Sequence, residues 1–235
     1  QRPLQENASR YSCLQSSQFE GALLAKARRM RPALAEYPVH QSVPRLGGAP
    51  HHHHDGQADD GDCRAAAGAD PHIWLAPRNM AILATNTCRF LQQLLPGRQE
   101  GMARSLAQLT ASLVTLETDL AATLAPAAGG TFWVYHPSWA YFAAAFKLRQ
   151  QAVEQEGREP SGRQLARLIE TAREARARVL FADPQFDPGP IRTLARQLGA
   201  RVVVLDPLNE AWAKNMRHVA EAIRDALQEF PDEPR

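Results

Sequence analysis

After Gly129-Gly130 the chain settles into an alternation of short apolar runs and amphipathic stretches, and that alternation admits one kind of architecture. Residues 132–135 predict a short buried strand, followed by a helix over 138–146. Residues 151–154 predict a weaker strand. The helix after it, over 162–176, turns Leu165, Leu168, Ile169 and Ala172 inward at steps of three and four. Residues 179–182 and 202–205 supply two more strands, followed by helices over 190–198 and 210–227. Four strands, each followed by a helix, require a parallel sheet with right-handed crossovers and helices on both faces. The fold class is α/β, and ligands of such sheets bind outside the carboxyl ends of the strands.

The first half reads differently. Residues 1–17 are polar and patternless, and no fold is assigned to them. A short helix is predicted over 19–30, with Leu23, Leu24 and Ala27 on one face; Pro32 ends it, and 35–39 could form a strand. Residues 43–70 read as a loop carrying Pro44, Gly47, Gly48, the run His51, His52, His53, His54 and an acidic, glycine-rich stretch. A loop that long is either functional or without fixed structure. Pro77 suits the first turn of a helix reaching about residue 95, which Pro96-Gly97 breaks. A second helix over 98–124 carries Leu106, Leu109, Leu113, Leu116, Leu120 and Leu124 on one stripe, and spans about 40 Å at 1.5 Å per residue.

Composition excludes several function classes. The 27 basic and 25 acidic side chains nearly cancel to a charge of +2, and cations such as Arg163, Arg167 and Arg173 are spread along a helix as a solvated face. Nucleic acid is therefore not the expected partner, since phosphate binding concentrates positive charge on one surface. No run of about 18 apolar residues predicts a membrane span. No signal peptide opens the chain, which begins Gln1-Arg2-Pro3 and so suits a processed protein or a fragment. Cys13, Cys63 and Cys88 form neither a metal knuckle nor a disulfide framework, and say little about compartment.

Three polar residues sit at predicted strand ends, each followed by proline: His136, Asp183 and Asp206. Imidazole and carboxylate suit Zn²⁺ or Mn²⁺. The competing reading of a strand-end aspartate is a cap on the next helix, and it stays open for both Asp183 and Asp206. His72 lies in Asp70-Pro71-His72-Ile73-Trp74, where a packed, hydrogen-bonded histidine is the alternative to a ligand. Four adjacent imidazoles at 51–54 cannot all pack, and offer weak, labile metal positions. A purification tag competes with that reading, against the run's internal position.

These segments together resemble the zinc-specific solute-binding proteins of bacterial ABC transporters. The stretch from Asp70 to Pro77 resembles that family's DPHxWLxP signature, and His136-Pro137-Ser138-Trp139-Ala140-Tyr141-Phe142 its HPSWxYF segment. The stretch from Glu154 to Ser161 resembles its ExEGxEPS loop. Asp183-Pro184-Gln185-Phe186 and Asp206-Pro207-Leu208 complete five motifs in the family's order. The resemblance implies two α/β lobes joined by a long helix, with the metal held in the cleft between them. It assigns 18–97 to a remnant of the first lobe, with a histidine-rich loop at 47–70. Residues 98–125 become the connector and 129–230 the second lobe. By the same carry-over His72 and His136 would be metal ligands, with Asp206 at the position of a carboxylate ligand and His51 to His54 as auxiliary labile positions. Glu154 and Glu156 match motif positions without being assigned as ligands.

The implied cargo is Zn²⁺ ahead of Mn²⁺, the implied partner an ABC transporter membrane permease, and the implied compartment periplasmic or otherwise extracytoplasmic. A further histidine of the family's first lobe has no match here, so the chain reads as an N-terminally truncated or incomplete member. The alternatives are a zinc-dependent hydrolase, with Glu154 or Glu156 as general base, and a metal-buffering remnant of the binding protein. No HExxH helix, nucleophile elbow or glycine-rich phosphate loop favours an enzyme.

Overall fold

The structure, a computed structural model, describes residues 39–46, 70–154 and 162–228. The predicted helix over 19–30, most of the predicted strand over 35–39, Glu156 and His51 to His54 lie outside these residues. Val39, the last residue of that predicted strand, lies in a turn.

A 3-10 turn, Ile73–Leu75, leads into α1 (Pro77–Leu94), with proline at the helix start where its missing N–H costs nothing. Gly97, at φ +94°, reverses the chain into α2 (Gln99–Leu124). There follow β1 (Thr131–Val134), α3 (Ala140–Ala145), β2 (Arg149–Ala152), α4 (Gly162–Glu174), β3 (Val179–Ala182), α5 (Gly189–Leu198), β4 (Arg201–Val204) and α6 (Trp212–Gln228). The four strands form one sheet in the order β2-β1-β3-β4, and every pairing is parallel.

Alternation along the strands builds two apolar layers, because successive side chains of a strand leave on opposite faces. Phe132, Val134, Val179 and Phe181 face Leu116, Leu120 and Leu124 of α2, Phe142 of α3, and Met216, Val219 and Ile223 of α6. Trp133, Tyr135, Leu180 and Ala182 face Leu168 and Ala172 of α4 and Ile191, Leu194 and Leu198 of α5. Helices therefore cover both faces, as the strand–helix alternation requires. Each fully buried large side chain contributes about 1.5–3 kcal/mol.

Several predicted bounds shift: β1 and β4 each lie one residue earlier, and α3 and α4 are shorter than 138–146 and 162–176. The weak strand predicted over 151–154 lies at Arg149–Ala152, in register with β1 from Thr131↔Arg149 to Val134↔Ala152. It is an edge strand, so Arg149 and Gln150 need not be apolar. The leucine stripe of α2 is buried only from Leu113 onward; Leu109 is 45% exposed. The C-terminal half of α2 packs on α6 and the sheet. Its N-terminal half faces α1 across an apolar cleft of about 1030 Å³ that Met80, Leu91, Met102 and Leu109 help to line. Among the described residues no helix is long and apolar enough to cross a membrane.

Candidate functional site

The strand order reverses at β1: the chain passes from β1 to β2 on one side, while β3 and β4 build on the other. The carboxyl ends of β1 and β3 consequently flank the crevice where parallel α/β sheets take their ligands. Tyr135 extends the ladder past β1 by donating its N–H to the Phe181 carbonyl at 2.8 Å, and His136 follows it out of the sheet. Glu154 extends β2 in the same way, its N–H reaching the Tyr135 carbonyl at 2.9 Å. Parallel register thus sets Glu154 beside His136, and its Oε2 lies 2.9 Å from Nδ1 of the ring.

His72 arrives from the other side of the chain. Asp70 Oδ1 accepts from the His72 backbone N–H at 2.8 Å and lies 2.7 Å from His72 Nδ1. The Tyr141 hydroxyl donates to the Asp70 carbonyl at 3.0 Å and accepts from the Leu46 N–H at 3.1 Å. The Asp70 N–H closes the group on the Leu46 carbonyl at 3.1 Å. Trp74 Nε1 donates to the Pro207 carbonyl at 3.0 Å, which ties the turn after His72 to the loop after β4.

The two imidazoles meet. Their ring centroids lie 5.3 Å apart with the planes at 78°, and each side chain is 12% exposed. Phe186 stacks on His136 at 4.6 Å, and Trp74 meets His72 edge-on at 5.4 Å. Asp183, at the end of β3, is buried and takes a long hydrogen bond from Ser138 Oγ at 3.4 Å. Burial pushes its carboxyl up to about 6, against the opposing pull of His136, Ser138 and His72.

Asp206 is held differently. Its Oδ1 accepts from Gln185 Nε2 at 2.6 Å and from the Leu208 N–H at 3.0 Å, and its backbone carbonyl accepts from Asn215 at 2.7 Å. The capping alternative fails for both strand-end aspartates. Asp187 bonds the Gly189 N–H at the start of α5, and Asn209 bonds the Ala211 N–H ahead of α6. Among the described residues no three His, Cys, Asp or Glu side chains are grouped so as to hold a metal ion. The structure therefore joins His72 to His136 and leaves Asp206 on its own hydrogen bonds.

Sequence reasoning did not assign Asp70 and Glu154 to the imidazoles, nor Phe186 to the stack on His136. The signal for Asp70 was its place two residues before His72, within reach of both the backbone and ring nitrogens. Glu154 becomes visible only once β2 is known to lie beside β1.

The fold and this site together define an open parallel α/β protein that carries two carboxylate-backed imidazoles at the reversal point of its sheet. The chain belongs to the family described as ZnuA, zinc-uptake complex component A, periplasmic, whose model matches residues 14–226. The high-affinity zinc uptake system protein ZnuA of Brucella abortus (strain 2308) is 26% identical over 168 residues, covering 67% of this chain and 50% of that protein. This chain thus spans about half the length of that curated relative. A crystal structure of ZnuA is 30% identical with a TM-score of 0.73, over 90% of this chain and 85% of the other. A zinc-bound ZnuA deletion mutant is 32% identical with a TM-score of 0.71, over 90% of this chain and 76% of that one.

Proposed function

We propose that this chain is the extracytoplasmic, zinc-capturing solute-binding component of an ABC-type uptake system, with Zn²⁺ as cargo between His72 and His136. The spacing of the two rings carries the reading. A Zn–N bond of about 2.0–2.1 Å puts each ring centroid roughly 3.2 Å from the ion, so two rings at a tetrahedral angle sit about 5.2 Å apart. The observed separation is 5.3 Å. Imidazole pairs favour zinc over manganese, which prefers oxygen ligands. The names of the relatives support the same cargo.

Asp206, at the far strand end, is the carboxylate proposed to close on the ion, its Oδ1 already held by Gln185 and the Leu208 N–H. His51 to His54 are proposed as weak, exchangeable metal positions. The proposed partner is the membrane permease of the transporter. In that setting α2 is the connector between a first lobe within 18–97 and a second within 129–230. A hydrolase finds less support, because Asp70 and Glu154, the carboxylates bonded to the two imidazoles, hold the rings' Nδ1 atoms and are not placed as a general base.

Calorimetric titration with Zn²⁺ tests the proposal. The wild type is expected to bind one ion and the His72→Ala, His136→Ala double variant to lose at least a hundredfold in affinity; indistinguishable isotherms would refute it. Affinity is also expected to fall in acid, since protons compete with the metal for the imidazoles.

A further inference from the structure

We infer that Glu154 and Asp70 are positioning residues that fix the tautomer of each imidazole and so select Nε2 as the nitrogen offered to the cargo. This inference rests on the zinc-binding reading above. An ionised carboxylate can only accept hydrogen bonds. With Glu154 Oε2 at 2.9 Å from His136 Nδ1 and Asp70 Oδ1 at 2.7 Å from His72 Nδ1, each Nδ1 must carry the proton. In a neutral ring the lone pair then resides on Nε2.

Both carboxylates are themselves held. The Glu154 side chain is 6% exposed, and its backbone continues the parallel ladder onto Tyr135. The Asp70 side chain is 4% exposed; its Oδ1 also takes the His72 N–H, and its carbonyl takes the Tyr141 hydroxyl. Phe186 covers one face of the His136 ring at 4.6 Å, which opposes rotation of that ring. A glutamine at position 154 would lose this selectivity, because an amide can present either its oxygen or its NH₂ to Nδ1. The acid at that position is thus what makes the choice of nitrogen unambiguous. Its negative charge also raises the basicity of the ligating nitrogen.

The test uses the full chain, the nearly isosteric E154Q and the truncated E154A, with far-UV circular dichroism to show that each folds. Long-range ¹⁵N–¹H correlation of the imidazoles in metal-free protein at pH 8 reads the tautomers directly. In the wild type His136 is expected with the proton on Nδ1. In E154Q it is expected as a mixture, and in E154A chiefly as the Nε2–H form common in free histidine. Calorimetry with Zn²⁺ alone is expected to show about a tenfold loss for E154Q and up to about a hundredfold for E154A, the range typical of groups that orient metal ligands. A wild-type His136 protonated on Nε2, or variants binding Zn²⁺ as tightly as wild type, would overturn the positioning role and leave zinc capture standing. A wild type whose isotherm matches that of the His72→Ala, His136→Ala variant would instead overturn zinc capture, and this inference with it.

Discussion

Asp183 shows what the crevice demands of a single side chain. Its carboxyl is 5% exposed, and burial raises its pKa from 3.8 to about 6. The folded protein therefore holds this proton more tightly than the unfolded chain does. Its contribution is fully present below pH 3.8 and is lost as pH rises through about 6. The roughly two-unit shift corresponds to about 3 kcal/mol. In metal-free protein, Asp183→Asn is expected to remove this fall in stability between pH 4 and 6, and to leave the variant more stable than wild type at pH 8. Urea denaturation across that range measures it; parallel profiles for the two proteins would contradict the assignment. At this scale the sequence displayed His72 and His136 through their motifs and Asp183 through its strand-end place. It could not display the partnership of Glu154 with His136, residues 18 positions apart, because that depends on which strand lies beside β1.

The helices followed from periodicity and β3 from an unbroken apolar run buried on both faces. Strand β3 lies where its apolar run placed it, and α1, α2, α5 and α6 fall within two residues of their predicted bounds at either end. Along α2 six leucines share a stripe but two neighbourhoods. Leu116 and Leu120 are essentially buried between α6 and the sheet, while Leu109 stands at the rim of the cleft beside α1. Leu116→Ala is therefore expected to cost about 2–5 kcal/mol, with a cavity left behind. Leu109→Ala should cost under about 1 kcal/mol, as an exposed substitution does. Chemical denaturation of the two variants separates them, and equal losses would show that the upper stripe is covered in solution.

Across the whole molecule, the site depends on two stretches that are far apart in sequence and joined through few bonds. The sheet delivers His136 without help from upstream. His72 is delivered by the Tyr141 hydroxyl on Asp70, by Trp74 on Pro207, and by the packing of Leu75 in the main apolar layer. Convergence of that kind is invisible to local pattern, and only the five motifs in family order made it legible in advance. The bond from the Asp70 N–H to the Leu46 carbonyl, with Tyr141 bridging both residues, has a bearing on everything between them. It joins the chain on either side of 47–69, at Leu46 and Asp70, at the edge of the site. With the flanks so joined, each halving of the number of residues between them alters the closure entropy by only about 0.6 kcal/mol. Excision of residues 50–66 is accordingly expected to leave Zn²⁺ affinity at the His72–His136 pair within about twofold of wild type by calorimetry, and to abolish only weaker secondary binding. Insertions between residues 47 and 69 should be equally silent at the primary pair, which makes the interval closed by Leu46 and Asp70 the natural point for grafting a foreign segment or a reporter onto the protein.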